Sequence, residues 1–440
     1  MSSPEQQQWR AQVHAYAEAI NAYAARGLKA GWKKAGKQPP EPDCASLAPL
    51  ALAAVRDANR TGQLDDLKAL WPPAHGPFVA LLKENGQAIC TLCVLGDGTI
   101  LARIGAPYEQ GRVVRIHDRH VEDVPDVAFF GFSPDRRTFA IATPSGVRLT
   151  DGWQGPERAF CPWARGNEDL PPEVGALPPW GKPPKPVSLT PFPDSDRVLL
   201  VSEDAIFVLS PSGATRLLPT PEQIISHVNW IRTEQPGDEA SVTGLSMAHG
   251  AVSPDGGLIA VGCQDSQHLV FDRDLACIAE VGPHGEYPHF ALFSTDGATI
   301  AFNACHFYNG GTIAVPVDLL PGHKSDFYEE VDGITLIEPN ARVYAGVSRG
   351  DDFILGDANG YLNCVSRQGD VRWRHFIGST VSAMDISADG KTLVAATYAG
   401  FVSIIQLDAG RKQPYQIGTG DHLEVRRWLF WKEEPQPLAW

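Results

Sequence analysis

The feature that most constrains the fold of this chain is a short pattern that occurs four times. Each copy has an apolar lead-in, a polar turn containing Ser-x-Asp, and a run of apolar residues. The copies are AVSPDGGLIAVG at 251–262, GFSPDRRTFAIAT at 131–143, LFSTDGATIAFNA at 292–304 and DISADGKTLVAAT at 385–397. Pro and Asp favour the centre of a type I turn, and Gly tolerates the positive φ that follows. Each copy therefore predicts two β-strands joined by a tight turn.

The repeated pattern belongs to a larger unit of four strands. After LIAVG come a polar turn, the strand HLVFDRD and the strand CIAEVG, and comparable groups of four follow along the chain. Near the N-terminal side, however, FVALLKE, QAICTLCVL and TILARIG provide only three strands. LEVRRWLFW at 423–431 is predicted to supply the missing strand, since a closed ring leaves few exposed sheet edges. This count predicts an all-β region of seven four-stranded sheets.

The repeats resemble those of β-propellers of the WD-repeat and YVTN type. The shared features are the SPDG turn, the strands LIAVG and TLVAAT that follow it, and an Asp closing the third strand in VFD, RLTD and IQLD. One unit, GDANGYLNCVSRQGDVRWRHF, is similar to quinoprotein-type repeats. The resemblance covers about residues 78–431 and implies a seven-bladed β-propeller. It departs from strict WD repeats, because no Trp-Asp pair ends a third strand.

Residues 1–72 have a different character and predict an N-terminal α-helical extension. The segment has 9 Lys and Arg against 7 Asp and Glu, whereas the rest of the chain has 28 against 45. This shift predicts a boundary near Pro72, with the propeller at 73–440. An apolar stripe follows one side of the first predicted helix. We favour packing of this stripe on the rest of the chain, and docking of a partner is the alternative. The stripe contains Trp9, Val13, Tyr16, Ile20, Tyr23 and Leu28.

Composition excludes some classes of function and favours others. The formal net charge of −15 argues against a general nucleic-acid binder, which needs a basic surface. The N-terminal sequence lacks a basic region followed by an apolar run, and no stretch of about 18 apolar residues predicts a membrane span. We therefore expect a cytoplasmic protein that does not bind membranes. The eight cysteines are expected to be free thiols, and Cys90 and Cys93 to have a structural role.

Several histidines are concentrated in the fourth and fifth units and predict a candidate metal site. His284 and His289 lie in VGPHGEYPHF, and His306 lies in NACHFYNGG. In a propeller these two kinds of loop share one face, so the three side chains are expected on one rim. Histidines with carboxylates bind divalent metals or transfer protons, which fits a metal-dependent hydrolase or lyase. Hydrogen bonding of the loop histidines to backbone is the alternative, and the spacing matches no fixed ligand motif.

Two long insertions interrupt the repeats and are predicted to form the working face. One spans Cys161 to Pro186 and is rich in Pro and Trp, and the other spans about Pro219 to Gly244. Trp163, Trp180 and Trp230 are costly to leave in water, so they pack on the propeller or contact a partner. An alternative role for the insertions is to cap the central channel.

The function predicted from the sequence is therefore a non-catalytic scaffold that binds another protein, in a bacterial-type multi-component system. The chain has no P-loop, GxSxG or HExxH string, so no catalytic constellation is legible and no cofactor is predicted. The metal-dependent hydrolase or lyase with His284, His289 and His306 is the alternative function. A third possibility is the binding of a small ligand in the central channel.

Overall fold

The computed structural model describes residues 3–74, 76, 85–235 and 240–440. Its strands form seven antiparallel sheets, each with its first strand innermost. The first strand of each sheet contacts the first strand of the next, and the first strand of the seventh sheet contacts that of the first. The chain is therefore a seven-bladed β-propeller, as the repeats predicted.

The first three blades each contain four strands. Blade 1 comprises β1 (Ile89–Val94), β2 (Ile100–Ile104), β3 (Arg112–His117) and β4 (His120–Val124). Blade 2 comprises β5 (Phe130–Phe132), β6 (Thr138–Thr143), β7 (Gly146–Asp151) and β8 (Glu157–Pro162). Blade 3 comprises β9 (Pro186–Pro191), β10 (Val198–Ser202), β11 (Ile206–Ser210) and β12 (Gly213–Leu218).

Two of the other four blades carry a fifth strand on their outer edge. Blade 4 comprises β13 (His249–Val252), β14 (Leu258–Gly262), β15 (His268–Asp272), β16 (Cys277–Val281) and the added β20 (His323–Lys324). Blade 5 comprises β17 (Tyr287–Phe293), β18 (Thr299–His306), β19 (Asn309–Pro316) and β21 (Thr335–Glu338). Blade 6 comprises β22 (Val343–Arg349), β23 (Asp352–Asp357), β24 (Tyr361–Ser366) and β25 (Val371–Phe376). Blade 7 comprises β26 (Val381–Ile386), β27 (Thr392–Thr397), β28 (Phe401–Gln406), β29 (Leu423–Leu429) and β30 (Leu438–Ala439).

The predicted Ser-x-Asp turns join the first two strands of blades 2, 4, 5 and 7. In each turn the serine hydroxyl donates to the aspartate two residues on, and accepts the backbone N–H five residues on. These serines are Ser133, Ser253, Ser294 and Ser387, with Oγ–Oδ1 distances of 2.6 Å in all four. The positive φ falls on Gly256, Gly297 and Gly390, and on Arg136 in blade 2. The turn prediction is confirmed, with one arginine in the position that favours glycine.

The prediction that residues 423–431 complete blade 1 is wrong. β29 is the fourth strand of blade 7, and blade 1 forms its own four strands. The strands missed were RVVRIH and HVEDV. The outer strand β4 exposes most of its residues, so it lacks the apolar alternation that identifies a half-buried strand. The segment FVALLKE, predicted as a strand, lies outside the described residues.

The ring closes through side chains at the junction of blades 7, 1 and 2. Asp385 on β26 accepts a hydrogen bond from the backbone N–H of Val94 at 2.6 Å and forms an ion pair with Arg136 of blade 2. Ser382 on the same strand donates to the carbonyl of Ile89. Burial raises the pKa of Asp385, although the Arg136 guanidinium lowers it. A buried carboxylate with two partners thus holds three blades together.

The N-terminal segment forms α1 (Pro4–Ala30), α2 (Ala48–Thr61) and α3 (Leu67–Leu70). Trp9 and Val13 of the predicted stripe are buried in one apolar cluster with Phe401 and Trp431 of blade 7. The Trp9 indole also donates to the carbonyl of Pro72 at 2.9 Å. Packing on the rest of the chain is confirmed for the Trp9 end of the stripe, whereas Leu28 at its other end is exposed. The domain boundary near Pro72 stays a prediction.

None of the described helices has the length and apolar character needed to cross a membrane.

Candidate partner-binding face

The two faces of the propeller follow from the alternating strand directions. The Ser-x-Asp turns between first and second strands all lie on one face, which we call the turn face. The connections between blades, and those between second and third strands, lie on the opposite face. Both predicted insertions connect blades, between β8 and β9 and between β12 and β13, so they share this face. We call it the insertion face.

The innermost strands of all seven blades line a central cavity of about 700 Å³. Tyr344 of blade 6 lies along its wall, and its ring contacts those of His289 and Tyr398 at centroid distances of 4.7 and 5.7 Å. Burial lowers the pKa of His289 and raises that of Tyr398, which keeps both side chains neutral near pH 7. The Arg342 guanidinium lies 4.8 Å from the Tyr344 ring, so a positive charge lies beside these neutral side chains.

The first insertion is anchored to the propeller by two of the predicted tryptophans. Trp163 is half-buried, and its indole donates to the carbonyl of Thr143 at 2.9 Å. Trp180 packs edge-on against Phe207 of blade 3 at 6.0 Å. A Cβ at Gly166 would lie 2.2 Å from the Trp180 ring, so the backbone here approaches the indole as closely as only glycine allows. These two tryptophans hold the insertion in place.

The second insertion forms a helix that the sequence analysis did not predict, α4 (Pro221–Glu234). A capping box fixes its start, because Thr220 and Gln223 each bond to the other's backbone. Ile224 and Val228 of α4 are buried against Val174 of the first insertion in a separate apolar cluster. The sequence does contain a helix-start pattern here, Thr-Pro-Glu-Gln at 220–223, and the apolar residues Ile224 and Val228 follow it four residues apart. The two insertions thus fold together into one lobe.

The third predicted tryptophan, Trp230, lies on the outer side of this lobe. Its side chain is 49% exposed, and its ring stacks with that of His227 one turn earlier at a centroid distance of 6.0 Å. The opposite side of α4 is fixed by Ile224 and Val228, so the helix presents Trp230 on a rigid support. Of the three tryptophans predicted as partner contacts, Trp230 is the exposed one.

His289 is half-buried below the insertion face, with both ring nitrogens engaged. Nδ1 lies 2.7 Å from the carbonyl oxygen of Val343, and Nε2 accepts a hydrogen bond from the Arg342 guanidinium at 3.1 Å. Burial, reinforced by the positive charge of Arg342, lowers the pKa of His289 to about 3. A cation would have to displace the guanidinium to reach this nitrogen.

His284 and His306 lie on the rim of blade 5, each with its own partner. His306 Nδ1 lies 2.5 Å from a carboxylate oxygen of Glu286, and His284 Nε2 lies 3.1 Å from the carbonyl oxygen of Glu329. Next to His306, the side chain of Phe307 is 72% exposed. The described residues contain no group of three His, Cys, Asp or Glu side chains placed to hold a metal ion. The metal site and the hydrolase or lyase based on it stay predictions.

Two further histidines, His249 and His268, lie at the starts of β13 and β15 in blade 4. They contact each other edge-on at 5.6 Å beneath the insertion face, and His268 stacks on Phe302 at 4.5 Å. His268 is completely buried, and neither of its ring nitrogens has a hydrogen-bond partner among the described residues. Burial lowers the pKa of His249 to about 4 and holds that of His268 well below its ordinary value. Both rings are therefore neutral near pH 7.

The eight cysteines are all free, as expected from the sequence. Cys90 and Cys93 belong to β1, where burial raises the pKa of both thiols, that of Cys90 to about 11. A thiol with a raised pKa is a poor nucleophile at neutral pH. This environment supports the structural role predicted for both residues.

The comparisons with known proteins add little to this description. No protein-family model matches the chain, and no curated protein matches it. Among solved structures, the chain is similar to a computationally designed protein, Ika8, with 14% identity and a TM-score of 0.45, over 73% of this chain and 97% of the designed one. A similarity at this level carries no argument here, and the fold assignment rests on the sheet topology. The WD-repeat, YVTN and quinoprotein resemblance stays a prediction.

Proposed function

We propose that this chain is a non-catalytic propeller scaffold that binds another protein through the lobe formed by its two insertions. The observation that carries the proposal is the placement of Trp230, exposed on a helix whose other side is buried. Exposed tryptophans on rigid supports are typical of the residues that dominate binding energy at protein interfaces. A preformed helix also loses little conformational entropy on binding.

The partner contact is centred on Trp230 and the stacked His227. Trp163 and Trp180 act indirectly in this proposal, because they hold the lobe that presents α4. We place the protein in the cytoplasm as part of a bacterial-type multi-component system, in keeping with its free cysteines. The resemblance to WD-type repeats supports the same role at the level of a class tendency.

The test is affinity purification of the full chain from cells that naturally produce it, with quantitative mass spectrometry. Trp230→Ala should reduce recovery of the main partner at least about tenfold, since a truncated hot-spot residue costs about 2 kcal/mol or more. Leu50→Ala is the matched control, because Leu50 is an exposed apolar residue of α2, which packs in a different apolar cluster from α4. Equal recovery with wild type and Trp230→Ala would rule out α4 as the contact.

A further inference from the structure

One short segment of this acidic chain carries only positive charges. Residues 26–37, RGLKAGWKKAGK, contain one arginine and four lysines and no acidic residue, although the net charge of the chain is −15. We call this the basic segment. All four of its lysines are exposed, and none forms an ion pair with a carboxylate of the described residues. Its positive charge is therefore open to a ligand. The lysines are Lys29, Lys33, Lys34 and Lys37.

The basic segment is held in a fixed shape against blade 6. The Trp32 side chain is 44% exposed, and one side of its ring lies over Gly27, where a Cβ would come within 2.3 Å. The ring of Tyr23 lies 5.7 Å from that of Trp32, and the Arg374 guanidinium of blade 6 lies 5.5 Å from the Trp32 ring. The lysines around Trp32 thus project from an ordered turn.

A second segment has the opposite character. Residues 326–332, DFYEEVD, contain four acidic residues and two aromatic ones and no basic residue. We call this the acidic segment. The side chains of Phe327 and Tyr328 are exposed, Tyr328 to 58%, and no carboxylate of the segment forms an ion pair with a described cation. Its acidic residues are Asp326, Glu329, Glu330 and Asp332.

The acidic segment is also ordered, at the outer edge of the insertion face. The backbone N–H of Tyr328 donates to the carbonyl of Pro283 at 3.1 Å, and the Tyr328 ring lies 6.4 Å from that of His284. The chain reaches this position along β20, which pairs with the edge of blade 4. Four carboxylates and two aromatic rings are therefore presented together on a fixed support.

The two segments are complementary in charge and in chemistry. Uncompensated like charges repel one another, and pairing with opposite charges relieves this repulsion. Lysine ammonium groups also bind the faces of exposed aromatic rings such as those of Phe327 and Tyr328. No ion pair joins the two segments within the described part of one chain, so both are available to a second molecule.

We propose that the acidic segment of one copy binds the basic segment of a second copy of this chain. In a two-fold symmetric pair the contact forms twice, once in each direction. Two copies of the contact bury twice the area of one, and a specific interface needs about 1,000 Å² or more. The proposal does not depend on the proposed function and does not use Trp230, so Trp230→Ala should leave this self-association unchanged.

Sedimentation velocity of the full chain tests the proposal. Wild type should dimerise at about 0.05 M salt and dissociate at about 0.5 M, because exposed charge pairs are screened. Lys33→Glu with Lys34→Glu, and separately Glu329→Lys with Glu330→Lys, should each raise the dimer dissociation constant at least about tenfold. Glu122→Lys with Asp126→Lys, which reverses two exposed charges on blade 1, is the matched control and should dimerise like wild type.

Mixing the two charge-reversed proteins gives the decisive result. One of the two contacts in the mixed dimer joins the unchanged acidic segment of one variant to the unchanged basic segment of the other, so the mixed dimer should be stronger than the dimer that either variant forms alone. Thermal unfolding measured by circular dichroism verifies that every variant is folded. Three results would each overturn the proposal: a wild type that is monomeric at low salt, variants that dimerise like the control, or a mixture that stays monomeric. In the first case, a basic segment of a different protein would be left as the ligand of the acidic segment.

Discussion

The two faces of this propeller differ in how they use the sequence. On the turn face, four blades repeat one arrangement, in which a serine hydroxyl donates to an aspartate and accepts a backbone N–H. On the insertion face each connection between blades has its own length and composition, and Trp230, Phe307 and Tyr328 are exposed there. On the turn face these polar groups are hydrogen-bonded to one another, whereas the insertion face exposes large aromatic side chains to solvent.

This difference indicates where stability and binding each reside. A residue repeated in several blades fills the same structural position in each, so its loss weakens the fold locally. A residue that occurs once, on an ordered support and exposed, contributes little to the fold and is available for a partner. Substitutions on the two faces should therefore separate stability from binding.

The largest effect is expected at the ring closure near the turn face. Asp385→Ala removes the acceptor of the buried Val94 N–H and the partner of Arg136, which should lower the free energy of unfolding by about 3 kcal/mol. Asp385→Asn should cost less, because its amide oxygen can still accept from Val94. Urea unfolding followed by circular dichroism measures both changes.

The matched control is Arg349→Ala, which removes an ion pair to the exposed Asp408. Exposed pairs contribute about 0–1 kcal/mol, so this variant should unfold close to wild type. If Asp385→Ala were no more destabilising than Arg349→Ala, the junction of blades 7, 1 and 2 would not depend on Asp385.

A smaller effect, dependent on pH, is expected beneath the insertion face at His249 and His268. Their pKa values are lowered in the folded state, whereas in the unfolded chain they are near 6.5. The stability that these neutral rings provide is complete above about pH 6.5 and is lost as the pH falls towards the folded pKa, about 4 for His249. Lowering the pH from 7.5 to 5 should therefore decrease the free energy of unfolding by about 2 kcal/mol for each of these two histidines.

His268→Phe tests this assignment by urea unfolding at the two pH values. The variant should lose less stability between pH 7.5 and pH 5 than wild type, by about 2 kcal/mol. Any packing cost of the larger ring is the same at both pH values and cancels in the comparison. His120→Gln, at an exposed histidine of blade 1, should retain the wild-type pH dependence. An unchanged pH dependence in His268→Phe would show that His268 titrates normally.

The sequence predicted the parts of the fold that depend on local patterns. The Ser-x-Asp turns were legible because Pro, Asp and Gly have definite turn preferences, and the apolar runs beside them identify buried strands. The strand β4 was missed because its residues are mostly exposed and charged. Closure was assigned to the wrong blade because both β3 and β4 were missed, so blade 1 was predicted to need residues 423–431.

The candidate site was predictable in position but less so in detail. Long insertions mark a break in the repeats, so their shared face could be inferred from strand order alone. Which tryptophan is exposed could not be inferred, because it depends on long-range packing such as Trp180 against Phe207 and Ile224 against Val174. In the same way, the position of His289 in the sequence does not reveal that Arg342 donates a hydrogen bond to its Nε2.

The smallest effects compare one residue from each face directly. Ser253 is buried, and its hydroxyl donates to Asp255 and accepts the Leu258 N–H at 2.9 Å. Ser253→Ala should lower the unfolding free energy by about 1 kcal/mol, the usual contribution of such a hydrogen bond. Trp230→Ala should change it by less than about 0.5 kcal/mol, as for most exposed positions.

Urea unfolding of both variants beside wild type measures this contrast. Ser294→Ala extends the comparison to blade 5, and its effect should match that of Ser253→Ala because the two turns share the same hydrogen bonds. A loss of 1 kcal/mol or more in Trp230→Ala would assign Trp230 to the packing of the lobe. Its ring would then stabilise the fold of α4, and Trp230 would not be a residue reserved for partner binding. The distinction between the two faces would fail at the residue on which the proposed function depends.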